Sequence, residues 1–232
     1  MTRASDLPLP QGEEKRRAVR SLFDSISGRY DLVNRVMTFG MDVGWRRRAV
    51  RQLRLPGGAL VADLACGTGD LCRELSRDGY RAVGFDFSLG MLAKATTDVP
   101  LVQADVLRLP LADRSVDGAT CGFALRNVVD LNAFFAEIAR VVRPGGRISL
   151  LEASQPDGPL MRAGHAVYFR RMVPMIGGLL SDREAYAYLP KSMAYLPPVT
   201  EMVAAVRDAG FPDAERVPLS GGIAQVLAGT RA

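Results

Sequence analysis

The sequence feature that most constrains the fold is a short apolar run that ends in a glycine turn. Residues 61–70 read VADLACGTGD, in which a strand-like run leads to Gly67, Thr68 and Gly69 and then directly into a helical pattern. Glycines at such a turn allow the backbone to bend tightly and to approach a ligand at the carboxyl end of the strand. We therefore predict a sheet whose first strand opens onto a binding site.

Strand and helix patterns alternate through most of the chain after residue 57. The predicted strands are LVADLA, RAVGFDF, LVQAD, VDGATCGF and RISLLEAS, followed by a helix at 199–209 and two late strands at 214–219 and 223–228. A helix with one apolar face is predicted at 130–143, and a proline-glycine turn connects it to the fifth strand. Such alternation predicts a parallel sheet covered by helices on both faces and built from right-handed crossovers. We predict an α/β, Rossmann-like fold with a mostly parallel seven-stranded sheet and an antiparallel C-terminal edge strand.

Two helical regions are expected outside this alternating core. Residues 1–57 are predicted to form an N-terminal leader that acts as a lid, with helices at 13–25, 30–39 and 43–55, and the α/β domain is predicted to span 58–232. A stretch rich in aromatic residues and methionine, at about 156–197, interrupts the pattern before the last helix and strands. We interpret it as a helical insertion that covers the substrate.

Composition excludes several classes of protein. The chain has 232 residues, of which 48% are hydrophobic, but no apolar run approaches the roughly 20 residues that cross a bilayer. The polar N-terminus does not read as a secretory signal peptide, which favours a cytoplasmic location. Three cysteines (Cys66, Cys72 and Cys121) and a single histidine (His165) support neither a disulfide framework nor a metal site.

The densest basic run lies in the leader. Residues 45–54, WRRRAVRQLR, place Trp45, Ala49 and Leu53 on one helical stripe. Around that stripe lie Arg46, Arg47, Arg48, Arg51 and Arg54. One interpretation is a solvated helix face, and the other is attraction to lipid headgroups or RNA phosphates.

Carboxylates follow the first strands at positions that suit a nucleoside cofactor. Asp86 ends the second predicted strand, where it could accept hydrogen bonds from both ribose hydroxyls. Asp105 follows the third and could accept from an adenine amino group, while the Val106 N–H could reach a ring nitrogen. Asp63 lies inside the first strand and, if buried, needs a partner. Asp70 opens the following helix, which disfavours a pyrophosphate there and favours a cofactor with an amino-acid end and a sulfonium.

Structural interpretations of the same carboxylates remain open. Asp86 could cap the helix that follows it, and Asp105 could simply hold a turn. For Asp63, a structural role and a ligand role are compatible.

Residues 61–152 resemble the class I S-adenosylmethionine-dependent methyltransferase fold. Longer segments carry a more specific resemblance: VRSLFDSISGRYDLVNRVMTFGMDVGWRR, DLACGTGD, FDFSLGML, FALRNVVDLNAFFAEIARVVRPGGR, VPMIGG, SDREAYAYLPKS and LSGGI. With these segments the chain resembles the ubiquinone/menaquinone biosynthesis C-methyltransferase family over nearly its whole length.

The resemblance implies S-adenosylmethionine as cofactor and C-methylation of a reduced, prenylated ring of the demethylmenaquinol or ubiquinol type. The predicted cofactor-binding residues are Tyr30, Asp63, Gly67, Thr68, Gly69, Asp86, Met91, Asp105 and Val106. The predicted catalytic residues are Arg126, Asn127 and Tyr188. A guanidinium at Arg126 could stabilise a phenolate and Asn127 could orient it, although Arg126 could instead only pair with a carboxylate.

Other functions remain as alternatives. A methyltransferase of the same fold could act on a soluble phenol or specialised metabolite. An RNA-binding protein is less favoured, since the stacking type of aromatic and basic interleaving is absent from the sequence. A nicotinamide-dependent reductase is disfavoured by Asp70 and Asp105.

The expected partners are an aromatic quinol and, through the basic run and a prenyl tail, the inner face of a membrane. Nucleic acid is not an expected partner, and the oligomeric state is left open, a homodimer included.

Overall fold

The elements of the fold follow the predicted alternation. A computed structural model describes residues 11–28, 30–168 and 192–232. Its helices are α1 (Gly12–Ile26), α2 (Tyr30–Met37), α3 (Met41–Gln52), α4 (Asp70–Arg77), α5 (Leu89–Leu92), α6 (Leu131–Val141), α7 (Pro159–Val167) and α8 (Val199–Asp208). Its strands are β1 (Leu60–Leu64), β2 (Arg81–Asp86), β3 (Leu101–Gln103), β4 (Val116–Gly122), β5 (Val142–Ala153), β6 (Glu215–Leu219) and β7 (Ala224–Thr230).

The strands form one seven-stranded sheet in the order β3-β2-β1-β4-β5-β7-β6. Strands β1 to β5 pair in parallel, and β7 runs antiparallel to both β5 and β6. The predicted fold class is therefore confirmed, and the structure adds that β7 lies second from the edge, between β5 and β6. The strand order reverses between β1 and β4, which is where open α/β sheets bind ligands.

Helices cover both faces of the sheet. On one face, Phe134, Phe135 and Ile138 of α6 are buried with residues of β4 and β5. The predicted stripe of α3 is buried on the other face, with Trp45 and Ala49 against β5 and β7 and Leu53 against β1 and α4. The third leader helix is thus part of the core, while the division of the chain at residue 57 stays a prediction.

Helix α6 begins and ends for local reasons. The Asp130 side chain accepts a hydrogen bond from the Ala133 N–H at 2.9 Å and caps the helix. The helix ends at Val141, two residues before the predicted end, because Val142 already pairs with Val116 of β4. Between Val142 and Arg147 the register shifts, and Gly145 takes a φ of 76°. The predicted proline-glycine turn is therefore an irregular start of β5.

The predicted insertion is described only in part. Helix α7 and a 3-10 turn at Met193–Tyr195 lie within it, and residues 169–191 lie outside the described ranges. In the part of the chain that is described, no helix has both the length and the apolar character needed to cross a membrane.

Gly84, in the middle of β2, is closely packed under the glycine turn, and substituting it tests this packing. A Cβ atom there would lie 2.7 Å from Leu101 Cδ2, 2.8 Å from Cys66 Sγ and 3.0 Å from Cys72 Sγ. We expect Gly84→Ala to lower the free energy of unfolding by about 1–3 kcal/mol, as overpacked cores do. Gly57→Ala is the control, since no atom lies within 4 Å of its Cβ position. Equal midpoints for both variants in urea unfolding would contradict this packing.

Candidate functional site

A cleft of about 1200 Å³ opens at the carboxyl ends of β1, β2 and β4. It brings together most of the residues that the sequence predicts for the cofactor. Those lining it are Asp63, Gly67, Thr68, Asp86, Met91, Asp105 and Val106, together with the predicted catalytic residue Asn127. Tyr188 and the side chain of Tyr30 lie outside what the structure describes. Their assignments stay predictions.

The glycine turn has the backbone that its sequence predicts. Gly67 and Gly69 take φ values of 55° and 84°, in the left-handed region that favours glycine. A Cβ on Gly69 would lie 2.6 Å from Thr97 Cγ2, whereas one on Gly67 would meet only Met91 Cε at 3.5 Å. Gly69 is therefore needed for the shape of the turn, while Gly67 presents backbone to the cleft.

Asp86 holds the glycine turn against the end of β2. One carboxylate oxygen accepts from the Gly67 N–H at 2.8 Å, and the other accepts from the Ser88 N–H at 2.8 Å. The capping role that the sequence left open belongs instead to Ser88, whose Oγ accepts from the Met91 N–H. Burial raises the pKa of Asp86, against the opposing effect of these N–H donors. Each oxygen has a further lone pair, which leaves room for ribose hydroxyls.

Asp105 forms both a turn and a contact with the first helix. Its Oδ1 accepts from the Leu107 N–H at 3.0 Å, so the turn role is real. Its Oδ2 lies 2.8 Å from Arg16 Nη2. On the same helix, Lys15 Nζ donates to the Val128 carbonyl at 2.8 Å, and Asp24 accepts from the Gly90 N–H at 3.2 Å. Helix α1 therefore lies across the cleft, which its sequence period alone could not indicate.

Asp63 is buried with protein partners. Its carboxylate accepts from Thr120 Oγ1 at 2.8 Å and lies 3.3 Å from Cys72 Sγ. Burial raises its pKa to about 7, and the hydrogen bonds from Thr120 and Cys72 oppose the shift. The structure thus shows a structural role for Asp63 beside the cofactor role proposed for it.

A second cavity, of about 1280 Å³, adjoins the cleft. Its walls are mostly apolar and include Met37, Phe39, Met41, Trp45, Met161, Met193 and Ile223. Arg46 and Phe123 line both cavities and so mark their junction. Phe123 takes a φ of 58° directly after β4, and its ring centroid lies 6.2 Å from that of Trp45. A left-handed φ at a bulky residue is uncommon and is concentrated at functional sites.

The two predicted catalytic residues that the structure describes face different cavities. Arg126 lines the second cavity. Its guanidinium forms a buried ion pair with Glu152, and its backbone N–H donates to the same carboxylate at 3.2 Å. Asn127, the next residue of the same 3-10 turn, lines the first cavity. The pairing that the sequence left as an alternative for Arg126 is therefore present.

Arg46 does not belong to a solvated face, so that interpretation of it is wrong. Only 7% of the residue is exposed, because its guanidinium lies between Asp42 and Asp70, the latter at 2.9 Å. The other arginines of the run are exposed: Arg47, Arg48, Arg51 and Arg54. Sequence reasoning also missed Asp42 and Phe123, since neither stands in a motif with an evident chemical role.

The chemistry of the first cleft fits S-adenosylmethionine. Asp86 and Asp105 supply acceptors at two strand ends, as a ribose and an adenine amino group require. Asp63 and Asp70 also line the cleft on the side of the glycine turn, where carboxyl oxygens can accept hydrogen bonds from an ammonium group. Hydrogen-bond acceptors at these points favour a ligand that brings donors.

Comparison with known sequences gives matches over almost the entire chain. The sequence profile of the ubiE/COQ5 methyltransferase family matches residues 11–231. A ubiquinone/menaquinone biosynthesis C-methyltransferase from Syntrophotalea carbinolica is 40% identical over 221 residues, covering 91% of this chain and 93% of that protein. A demethylmenaquinone methyltransferase from Mycolicibacterium vanbaalenii is 42% identical over 216 residues, covering 92% and 95%.

Solved structures show the same fold at lower sequence identity. A SAM-dependent methyltransferase from Thermotoga maritima matches with a TM-score of 0.66 and 20% identity, covering 92% of this chain and 99% of that one. A phosphoethanolamine N-methyltransferase from Haemonchus contortus, solved with S-adenosyl-L-methionine, matches with a TM-score of 0.55 and 19% identity, covering 73% and 37%. These likenesses confirm the class I methyltransferase fold.

The raised pKa of Asp63 predicts a pH dependence of stability. In the folded protein the carboxyl group stays protonated up to about pH 7, whereas in the unfolded chain it ionises near pH 3.9. Its contribution to the free energy of unfolding is therefore fully present below about pH 4 and is lost as the pH rises through about 7. Relative to Asp63→Asn, wild type should lose about 1.4 kcal/mol per pH unit between about pH 5 and 6.5.

Urea unfolding at pH 5, 6, 7 and 8 measures this difference. Asp208→Asn, at an exposed position at the end of α8, is the control and should give a smaller change with pH. A difference between wild type and Asp63→Asn that stays constant over this range would contradict the protonated state of Asp63.

Proposed function

Because the chain belongs to the ubiE/COQ5 methyltransferase family and uses S-adenosylmethionine, we propose that it methylates a ring carbon of a reduced, prenylated quinol of the demethylmenaquinol or ubiquinol type. The observation that carries this proposal is the apolar second cavity, which joins the cofactor cleft at Arg46 and Phe123. An aromatic ring at that junction would have its tail among apolar walls and its reacting carbon toward the cofactor.

The residues of the chain contribute mainly by positioning. S-adenosylmethionine supplies, when bound, an electrophilic methyl group on its sulfonium. Asp86 and Asp105 would hold its nucleoside by accepting hydrogen bonds. Flexible apolar side chains such as Met37, Met161 and Met193 would adapt to the ring and tail and exclude water. Holding ring carbon and methyl group in line supplies most of the rate.

Charge on the ring is the second requirement. The ring carbon becomes a better nucleophile when a neighbouring hydroxyl gives up its proton to solvent water, and the resulting negative charge needs stabilisation. Arg126 lines the second cavity, and its ion pair with Glu152 would orient the guanidinium that stabilises this charge. Asn127, on the cofactor side of the same turn, would orient the ring oxygen. When the methyl carbon–sulfur bond breaks and the new carbon–carbon bond forms, the ring oxygen becomes a carbonyl. The methylated carbon then loses its proton, the ring oxygen gains one through water, and the aromatic ring is restored.

A membrane contact would bring the prenyl tail to the second cavity. Large apolar side chains are exposed on α2 and in the turn that follows it, with Leu32 57% and Phe39 71% exposed, and Phe39 and Met41 also line the second cavity. Two exposed arginines, Arg35 and Arg48, lie on the same helices. Arg48 follows Met41 by seven residues and so lies on the same face of α3. We place the proposed membrane contact here, since apolar insertion and attraction to anionic headgroups act together.

The cofactor part of the proposal is tested by binding of S-adenosylhomocysteine in calorimetry. We expect Asp86→Ala to weaken binding about tenfold to a hundredfold, because it removes the ribose acceptor and frees the glycine turn. Asp208→Ala, exposed on α8, should bind as wild type does. Equal affinity in both variants, or binding of NADH by wild type, would count against the proposed use of the cleft.

The acceptor part is tested by transfer of labelled methyl from S-adenosylmethionine to a prenylated quinol in detergent. Wild type should transfer label to a ring carbon, and Arg126→Ala should lower the rate by about a hundredfold, as loss of one charge-stabilising donor does. Transfer to soluble phenols with no dependence on the tail would overturn the proposed acceptor and leave methyl transfer intact.

The membrane part is tested by sedimentation with vesicles that contain phosphatidylglycerol. The double variant Leu32→Glu with Phe39→Glu should partition at least about tenfold less than wild type, because it removes apolar contact and adds repulsion. Leu89→Glu is the matched control, since Leu89 is 59% exposed on α5 and does not line the second cavity. Equal loss in both variants would show that the surface around Leu32 and Phe39 is not the contact.

A further inference from the structure

Asp42 contributes a carboxylate to a cavity that is otherwise lined mainly by apolar side chains. Among the described residues that line the second cavity, it is the sole carboxylate. It lies in the first turn of α3 with 1% of its surface exposed. Burying a charge there is costly unless it is paired and hydrogen-bonded. Its position in the proposed acceptor site therefore needs an explanation.

Three neighbours hold the Asp42 carboxylate. Oδ1 accepts from Thr38 Oγ1 at 2.8 Å, and Oδ2 forms an ion pair with Arg46 and lies 3.6 Å from Arg35 Nε. Burial alone would raise the pKa of Asp42, but the charges of Arg46 and Arg35 and the hydrogen bond from Thr38 outweigh it, so the pKa is lowered. The group is an anion at neutral pH, and a carboxylate can only accept hydrogen bonds.

Arg46 fixes this anion close to the reacting end of the cavity. Its guanidinium joins Asp42 to Asp70, and it lines both cavities at their junction beside Phe123. An aromatic ring presented to the cofactor must lie at that junction. A ring substituent that turns toward α3 would therefore meet the Asp42 carboxylate.

We propose that Asp42 is a specificity-determining residue of the acceptor site, which accepts a hydrogen bond from a ring hydroxyl and thereby selects the reduced ring over the oxidised one. This inference rests on the proposed function and identifies the residue that distinguishes the reduced acceptor from the oxidised one. A hydroquinone hydroxyl is a hydrogen-bond donor, and a carboxylate can accept that hydrogen bond. A quinone carbonyl brings only lone pairs, so the two oxygens would repel each other.

The arginines of the cavity cannot make this distinction. A guanidinium donates equally well to a hydroxyl oxygen and to a carbonyl oxygen. Arg126 can therefore form a hydrogen bond with the ring in either oxidation state. Sites built to hydrogen-bond a hydroxyl reject analogues that lack it, because their own polar groups are then left unpaired. Since Asp42 keeps its protein partners when a quinone is bound, we expect a moderate preference of about tenfold to a hundredfold.

Trp45 makes the test direct. It is the single tryptophan of the chain and lines the second cavity next to Phe123. Quenching of its fluorescence therefore reports ligand in that cavity without turnover. The probes are 2-prenyl-1,4-dihydroxynaphthalene and 2-prenyl-1,4-naphthoquinone, titrated under nitrogen in the presence of S-adenosylhomocysteine.

The variants separate the effect of Asp42 from that of another buried carboxylate. Wild type should bind the dihydroxy probe about tenfold to a hundredfold more tightly than the quinone. Asp42→Asn should bring the ratio to within about twofold of one, because an amide can accept from a hydroxyl or donate to a carbonyl. Glu74→Gln is the matched control: it neutralises a mostly buried carboxylate that pairs with Arg47 of α3 and lines neither cavity, so the preference should persist.

The outcomes distinguish this inference from the proposed function. A preference that survives in Asp42→Asn, or equal binding of both probes by wild type, overturns the role of Asp42 and leaves methylation of the quinol standing. Failure of wild type to bind or methylate either probe while it binds S-adenosylhomocysteine overturns the proposed acceptor and this inference with it. If Asp42→Asn loses S-adenosylhomocysteine binding, Asp42→Ser takes its place with the same expected ratio, since its hydroxyl also donates and accepts.

Discussion

The guanidinium of Arg46 lies between two carboxylates, Asp42 on its own helix and Asp70 at the start of α4. All three groups are largely removed from water, so loss of the Arg46 guanidinium would remove one ion-pair partner from each of two mostly buried carboxylates. The network therefore joins α3 of the leader to the helix that follows the glycine turn. It also stands at the junction of the two cavities, so the same charges that join these helices shape the place where cofactor and acceptor would meet.

The position of the cavities follows from the sheet. Strand order reverses between β1 and β4, and at that point the chains leaving the two strands diverge and open a cleft. The turn after β1 is held to β2 by the bond between Gly67 N–H and Asp86. The turn after β4 carries Phe123 in a left-handed conformation, which sets its ring between the cavities. A parallel sheet thus supplies one wall, and helices α1 and α3 supply the others.

Local sequence patterns were sufficient to predict features that depend only on interactions between residues close together in the chain. The alternation of strands and helices, the apolar faces of α3 and α6 and the glycine turn all depend on neighbours within a few residues along the chain. The carboxylates Asp86 and Asp105 were also predictable, because the carboxyl ends of parallel strands meet at one edge. Long-range partners were not predictable: nothing local indicated that Arg16 would reach Asp105 or that Glu152 would pair with Arg126.

The sequence by itself determined the fold class, the placing of the cofactor residues at strand ends and the resemblance to one enzyme family, because periodicity and short motifs encode them. Only the tertiary structure decided which charges are buried. An arginine in a basic run looks like its neighbours in sequence, yet Arg46 alone in that run turns inward, since α3 packs Trp45 and Ala49 against the sheet and the adjacent position then faces Asp70. Burial depends on what another part of the chain brings to the same place, and one-dimensional pattern does not contain that information.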